Sequence, residues 1–307
     1  MSCSRSAGRP TSASSRHRSP DVGAAVEVWA REDGRYPAGL CDAPDPPDPI
    51  FARGSRAVVD RVSIAVVGAR RATDAGLSAA RRIGRILAQA GVCVVSGLAL
   101  GIDAAAHAGA LDADDGRTCA ILGGGIDAGA PPSNARLKER IEARGLLLSE
   151  WEPRCPPAPW MFPHRNRLIA ALSRAVVVVE AGPRSGALHT AQYAIDLGRE
   201  LAVVPGPIDS DWCQGSNRLL QREGARAIVA VEDVLALIGP RLEVTPPPSE
   251  FSDDEAKVWD ALATGAIDVD TIAMRSHLPT TRCLAAITTL ELAGAVSCLL
   301  TGQVQRR

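Results

Sequence analysis

The sequence predicts an α/β protein, a doubly wound and mainly parallel sheet followed by a small helical module, on three observations. From Ser63 onward, short β-branched runs alternate with longer Ala-, Leu- and Arg-rich segments of helical period. Several runs, Ala175-Val176-Val177-Val178-Val179 above all, are apolar at every position, as expected of strands covered on both faces. The alternation stops between Gly239 and Glu250, where Pro246-Pro247-Pro248 reads as a stiff, solvated spacer.

In chain order, residues 1–22 carry Ser, Arg and Gly with too little apolar surface to offset the entropy of ordering, and read as a disordered tail. Residues 23–60 read as an extended, irregular lead-in, because Asp42-Ala43-Pro44-Asp45-Pro46-Pro47-Asp48-Pro49 supports neither a helix nor a central strand. Residues 61–238 form the predicted Rossmann-like domain. Its strands are Ile64–Gly68, Val92–Ser96, Thr118–Leu122, Leu146–Ser149, Ala175–Glu180, Leu201–Val204 and Ala227–Val229. Between them fall helices at Ala75–Ala90, Ile102–Ala113, Asn134–Arg144, Arg165–Leu172, Ala187–Leu197 and Asn217–Glu223. After the linker, 239–250, residues 251–307 read as a winged-helix-like domain: helices Asp253–Leu262, Val269–Ser276 and Thr281–Leu292, then a two-stranded wing.

A chain of 307 residues with 46% hydrophobic content can bury the core of one large and one small domain. No apolar run reaches the roughly 18 residues that span a bilayer, and the Arg/Ser-rich start lacks the apolar stretch of a secretory signal, so cytoplasm is the expected compartment and no membrane partner is expected. The eight cysteines are scattered without a C-x-x-C pair, which favours free thiols over a metal site. The net charge of −1 excludes nothing, since only the local distribution of charge creates a binding field. Apart from Lys138 and Lys257 the cations are arginines, whose planar fork suits phosphates and base edges, although a GC-rich genome gives the same bias.

Open α/β sheets bind ligands outside the carboxyl ends of their strands, so the turns after each strand carry the chemistry. The first ends in Gly68-Ala69-Arg70-Arg71, where backbone amides and guanidinium groups can face a phosphate. The second runs into Ser96-Gly97-Leu98-Ala99-Leu100-Gly101-Ile102-Asp103, the third into Gly123-Gly124-Gly125, and the fifth into Ser185-Gly186-Ala187-Leu188-His189-Thr190, which has the make-up of an anion nest. Any one such turn also serves simply to let helices pack. Phe162-Pro163-His164-Arg165-Asn166-Arg167 sets an aromatic beside two arginines at a loop-to-helix junction. That is the pairing single-strand binding uses, and equally a hydrophobic staple with ordinary surface cations. The G-x-G-x-x-G fingerprint is missing from the first turn and there is no Walker A sequence, which argues against a dinucleotide enzyme or a nucleotide-driven motor.

The same turns in the same order resemble the DNA-processing protein A (Smf) family. Gly68-Ala69-Arg70 is similar to its G-[ST]-R turn, Ser96 to Asp103 to its S-G-x-A-x-G-I-D, and Phe162 to Arg167 to its F-P-x-R-N-R. Ser149-Glu150, Ser185-Gly186 with Thr190-Ala191, Pro205-Gly206 and Gly215-Ser216-Asn217 add to it, over roughly Tyr36 to Leu237. The resemblance implies a protein of natural transformation and recombination that binds single-stranded DNA, forms a homodimer and helps load the RecA recombinase, with no catalytic step and no cofactor. By matching motif it implies a DNA-binding set of Gly68, Arg70, Arg71, Ser96, Gly97, Gly101, Phe162, Arg165, Asn166, Arg167, Ser185, Gly186 and Thr190. Within it Arg70, Ser96, Gly97 and the Ser185-Gly186 turn meet phosphate, Phe162 stacks near a base and Asn166 holds the loop. The chain departs from the pattern at Ala69, at Pro131-Pro132 and at His189, and the helical N-terminal domain of many members is not expected in it.

The main rival is a Rossmann-like nucleotide N-glycosidase of the lysine-decarboxylase-like family. Its P-G-G-x-G-T-x-x-E signature requires a glutamate that is missing here, since the next acid after Ser185-Gly186 is Asp196. His107, at helical spacing from Asp103, reads as a satisfied, partly buried brace of the Gly-rich loop in preference to half of a catalytic pair, Glu180 as an acid, a base, a helix cap or the partner of an arginine, and Trp160 and Trp212 as packing or stacking residues. A duplex-reading role for the tail is disfavoured because the predicted recognition helix carries only Arg282 as a cation.

Overall fold

In the computed structural model the described residues are 25–128, 130–239, 251–262, 267–292, 295–298 and 303–306, and the chain divides into two compact units after Gly239. The predicted tail at 1–22 and linker residues 240–250 lie outside the described residues.

The first unit is built on β1 (Glu27–Trp29), β2 (Ile50–Gly54), β3 (Ser63–Val67), β4 (Cys93–Ser96), β5 (Thr118–Ile121), β6 (Leu146–Ser149), β7 (Ala175–Val178), β8 (Glu200–Val203) and β9 (Arg226–Ala227). These form one nine-stranded sheet in the order β1-β2-β6-β5-β4-β3-β7-β8-β9. From β6 to β9 all neighbours are parallel, while β1 and β2 add an antiparallel edge. Helices α1 (Asp74–Gln89), α2 (Ile102–Leu111), α3 (Ala135–Arg144), α4 (Met161–Leu172), α5 (Ala187–Asp196) and α6 (Gln214–Leu219) supply the crossovers. This is the doubly wound, Rossmann-like body expected.

The uninterrupted apolar runs follow from period-two side-chain alternation between two cores. Ile64, Val66, Val94 and Val177 point to one face and pack with Ile83 and Leu87 of α1 and Ile102 and Ala106 of α2. Ala65, Val67, Val95, Val176 and Val178 point to the other, against Leu168 and Ile169 of α4 and Ala191 and Ala194 of α5. Each buried Val or Leu contributes about 1.5–3 kcal/mol, so a polar residue anywhere in these strands is costly.

Two expectations are corrected. Of the segment 23–60, the described residues 25–60 are not an irregular lead-in: β2 pairs antiparallel with β6, placing Phe51 opposite Ser149, and β1 pairs with β2. Trp29, Tyr36, Leu40 and Ile50 are buried with the α4–α5 face. Strands of three and five residues are too short to show a period, and their partner β6 lies far along the chain. Second, α4 begins at Met161, so Phe162-Pro163-His164 make its first turn rather than a loop. Proline is tolerated there because first-turn N–H groups have no intrahelical acceptor.

Strand order reverses at β3, whose neighbours are β4 on one side and β7 on the other; the chain runs outward to β6 in one direction and to β9 in the other. The crevice outside the carboxyl ends of β3 and β7 is therefore where a ligand has room between diverging crossovers.

The second unit holds α7 (Asp253–Ala261), β10 (Ile267–Asp268), α8 (Val269–Ser276), α9 (Thr280–Leu292), β11 (Val296–Cys298) and β12 (Gln303–Arg306), with an antiparallel sheet in the order β10-β12-β11. The predicted two-stranded wing thus gains a short third strand. Ser252 and Glu255 form a capping box that starts α7, and Asp268 caps α8. Val258, Ile272, Cys283, Ile287, Leu290, Val296 and Val304 close its core. Arg282 is held by Asp254 at 2.7 Å through both Nε and Nη2, so the cation of α9 is already neutralised.

Candidate nucleic-acid interface

A cleft of about 730 Å³ opens at the switch point, lined by the turns after β3 and β7, the start of α4 and Trp212. Its walls are joined through one residue. The Ala69 N–H donates to the Glu180 carbonyl at 2.7 Å, and the Ala69 carbonyl accepts from Ile102 N–H at 3.2 Å. Gly101, at the entry to α2, has φ +79°, and an added Cβ would lie 2.3 Å from the Ala69 oxygen. Only glycine permits both that conformation and that approach, which is why the turns after β3 and β4 can close on each other.

Glu180 braces the start of a helix. Its carboxylate accepts from Thr73 N–H at 2.9 Å and from the Thr73 hydroxyl at 2.5 Å, and the same Thr73 oxygen accepts from Gly76 N–H to cap α1. The turn carrying Arg70 and Arg71 is thereby pinned between β3 and a capped helix.

The glycine-rich turn after β4 binds an anion of its own. Asp103, buried in the first turn of α2, accepts from Gly97 N–H at 3.1 Å and Ala99 N–H at 3.4 Å. The Ser96 hydroxyl is fully buried and donates to the Val66 carbonyl at 2.7 Å. The amides and hydroxyl expected to meet a phosphate are thus already engaged within the protein. Burial pushes the Asp103 carboxyl up, opposed by the charge of Arg165 and by those two amides.

The F-P-x-R-N-R stretch divides between surface and interior. Arg165 is 3% exposed, and its Nη1 donates to the carbonyls of Gly97, at 2.9 Å, and Ile121. An added Cβ at Gly97 would lie 2.2 Å from Arg165 Nη2, so the glycine makes room for the guanidinium. Burial lowers its pKa to about 10, a value at which it remains cationic near neutrality. Arg167, also 3% exposed, forms a forked pair with Glu150 at 3.1 and 2.7 Å and donates to the Pro44 and Asp45 carbonyls at 2.9 Å each. It fastens the N-terminal segment to α4, so the expectation of two guanidinium groups facing a backbone does not hold for this pair. Asn166 reaches under the turn after β7, its Nδ2 donating to the Gly186 carbonyl at 3.1 Å, and Thr190 lies beneath the same turn, 1% exposed.

What remains at the surface is a smaller set. Arg70 and Arg71 are exposed, and among the described residues no carboxylate pairs with either, nor with Arg184. The Arg70 guanidinium lies over the Phe162 ring, 4.9 Å from its centroid, while the ring rests on Gly123. Ser185 is half-buried and Gly186 exposed at the opposite lip. Charge, an aromatic face and a small-residue turn thus meet on one rim. The sequence reading did not select Arg184, whose signal was a cation directly preceding the Ser185-Gly186 turn.

His107 is fully buried. The Thr118 hydroxyl donates to the Val94 carbonyl, so His107 Nδ1, 2.6 Å from that hydroxyl, is the donor, and among the described residues Nε2 has no partner. Burial, aided by the Arg165 charge, lowers its pKa to about 3. It is a neutral packing residue rather than the satisfied, partly buried brace expected.

The model of the DNA recombination-mediator protein A family matches residues 27–239, and that of the DprA winged helix domain matches residues 243–299. The chain is 43% identical over 242 residues to the putative DNA processing protein DprA of Mycobacterium tuberculosis, covering 76% of this chain and 62% of that protein. It is 39% identical over 204 residues to DNA processing protein DprA of Streptococcus pneumoniae, covering 66% and 71%. The chain therefore spans less than two thirds of the mycobacterial relative. Among solved structures, DNA processing protein A from S. pneumoniae superposes with a TM-score of 0.65 at 37% identity over 68% of this chain and 73% of that one. DNA processing protein A from Helicobacter pylori, described for its single-stranded DNA binding mode, gives 0.62 at 28% identity over 68% and 94%. With its whole parallel sheet and switch-point cleft inside the matched region, the chain belongs to the DNA recombination-mediator protein A family.

Proposed function

We propose that this chain takes part in DNA processing by binding single-stranded DNA in the switch-point cleft, as a cytoplasmic homodimer without catalytic activity. In this reading it protects incoming strands in natural transformation and recombination and assists loading of the RecA recombinase. The observation that carries the reading is the rim itself: Arg70, Arg71 and Arg184 free of carboxylate partners among the described residues, beside Phe162 and the Ser185-Gly186 turn. Guanidinium groups attract the backbone, and an aromatic face accepts any unstacked base. The H. pylori relative, described with single-stranded DNA, supports it. For the N-glycosidase alternative, the carboxylate of Asp103 is engaged by its own turn and Glu180 by Thr73, which leaves neither poised over a substrate.

The test is an anisotropy titration of labelled oligo-dT and of a duplex of equal length across a salt series. Affinity for the single strand should exceed that for duplex and fall steeply with salt. Equal affinity for both, or no binding at low salt, overturns the proposal.

A further inference from the structure

We propose that Trp212 is a second base-stacking platform, so that the cleft holds the strand between two aromatic walls with the phosphates drawn to the arginines between them. This rests on the single-strand reading. The adjacent arginines diverge: Arg70 lies over Phe162, and Arg71 lies over Trp212, 5.9 Å from the centroid of the indole rings. The order of elements along the rim accounts for this. Phe162 rests on the Gly123 turn after β5, the arginines follow β3, the Ser185-Gly186 turn follows β7, and Trp212 follows β8. One guanidinium-and-ring pair therefore stands on each side of the switch point.

Trp212 is 41% exposed although it lines the cleft, which leaves ring surface available to a ligand. Its loop is held without help from DNA. Asn217 and Gly206 exchange two hydrogen bonds of 3.0 Å, Cys213 N–H donates to the Ser210 carbonyl at 3.0 Å, and Gln214 holds Asp211 at 3.0 Å. A ring presented on a rigid loop loses little entropy on binding. The loop's own charges are Asp209 and Asp211, which repel phosphate. Whatever Trp212 contacts on a nucleic acid is thus the base, while Arg71 provides the charge.

Trp212→Ala should weaken oligo-dT binding about tenfold, within the range for loss of one stacked base, and leave the slope of log affinity against log salt unchanged. Arg71→Ala should instead make that slope shallower by about 0.7, one phosphate contact. Trp212→Phe, which keeps a stacking face, should restore most of the affinity while removing most of the tryptophan fluorescence quenching that oligo-dT produces in the wild-type chain. Wild-type affinity in Trp212→Ala, or quenching undiminished in Trp212→Phe, overturns the second platform and leaves the single-strand reading intact. A wild-type chain that binds no oligo-dT at low salt overturns that reading first.

Discussion

Replacing Arg165 by methionine tests whether the signature arginine holds the fold rather than the ligand. The substitution keeps volume and removes a charge that is 3% exposed. It leaves the carbonyls of Gly97 and Ile121 without that donor, each lost partner costing about 1–3 kcal/mol. It also removes the nearby positive charge that opposes the effect of burial on the Asp103 carboxyl, with which Arg165 makes no direct ion pair. The expected loss, dominated by the two carbonyls, is about 2–5 kcal/mol near neutral pH. The pH dependence supplies the discriminating sign. Burial already raises the Asp103 carboxyl above its unfolded value, and removing Arg165 raises it further. The folded variant then binds a proton that the unfolded chain releases above about pH 3.9, so its deficit is smallest in acid and grows as pH rises through the folded pKa. Urea unfolding of wild type and variant between about pH 4.5 and 8 measures this. Adding Asp103→Asn to the variant should recover more than about 1 kcal/mol at the upper end, because the unpaired charge is gone. A deficit below about 1 kcal/mol would refute the assignment of Arg165 to the two carbonyls, and one flat in pH and untouched by the second substitution would refute its electrostatic influence on Asp103.

Three further outcomes follow from the same geometry. His107 has a folded pKa of about 3, depressed below its unfolded value of 6.5, so its contribution is present above pH 6.5 and is lost as pH falls. Unfolding should show about 2 kcal/mol less stability at pH 5 than at neutral pH, a slope His107→Gln should flatten; an unchanged slope would mean the ring is solvated. Arg70→Ala should weaken oligo-dT binding by about 1–3 kcal/mol without moving the melting temperature, whereas Arg167→Met should cost about 3–5 kcal/mol of stability through its pair with Glu150. The reverse pattern, a stable Arg167→Met that fails to bind, would put Arg167 on the ligand. Gly101→Ala, with φ +79° and a Cβ only 2.3 Å from a backbone oxygen, should destabilise by about 2–4 kcal/mol and displace the Arg70 turn. Wild-type melting and oligo-dT affinity in that variant would show that the two turns do not depend on each other.

The sequence by itself determined the layered architecture. Apolar runs with no polar interruption can be strands only if both faces are covered, and the helical periods between them supply the cover, so the parallel body follows from local pattern. It also located the cleft, because ligands of such sheets bind beyond the strand ends and the arginines and glycines cluster there. Tertiary structure alone decided what each of those residues faces. Arg165 and Arg167 read as two cations beside an aromatic. Their acceptors lie as far as 123 residues away in sequence, at Pro44, and become neighbours only when α4 packs between the sheet and the N-terminal segment. The edge strands β1 and β2 were hidden for the same reason: a strand of three to five residues has no period of its own, and its pairing energy comes from a distant partner. The Ser96–Asp103 turn read as a place where a ligand approaches closely, and only its folded path revealed that its amides are taken by its own Asp103.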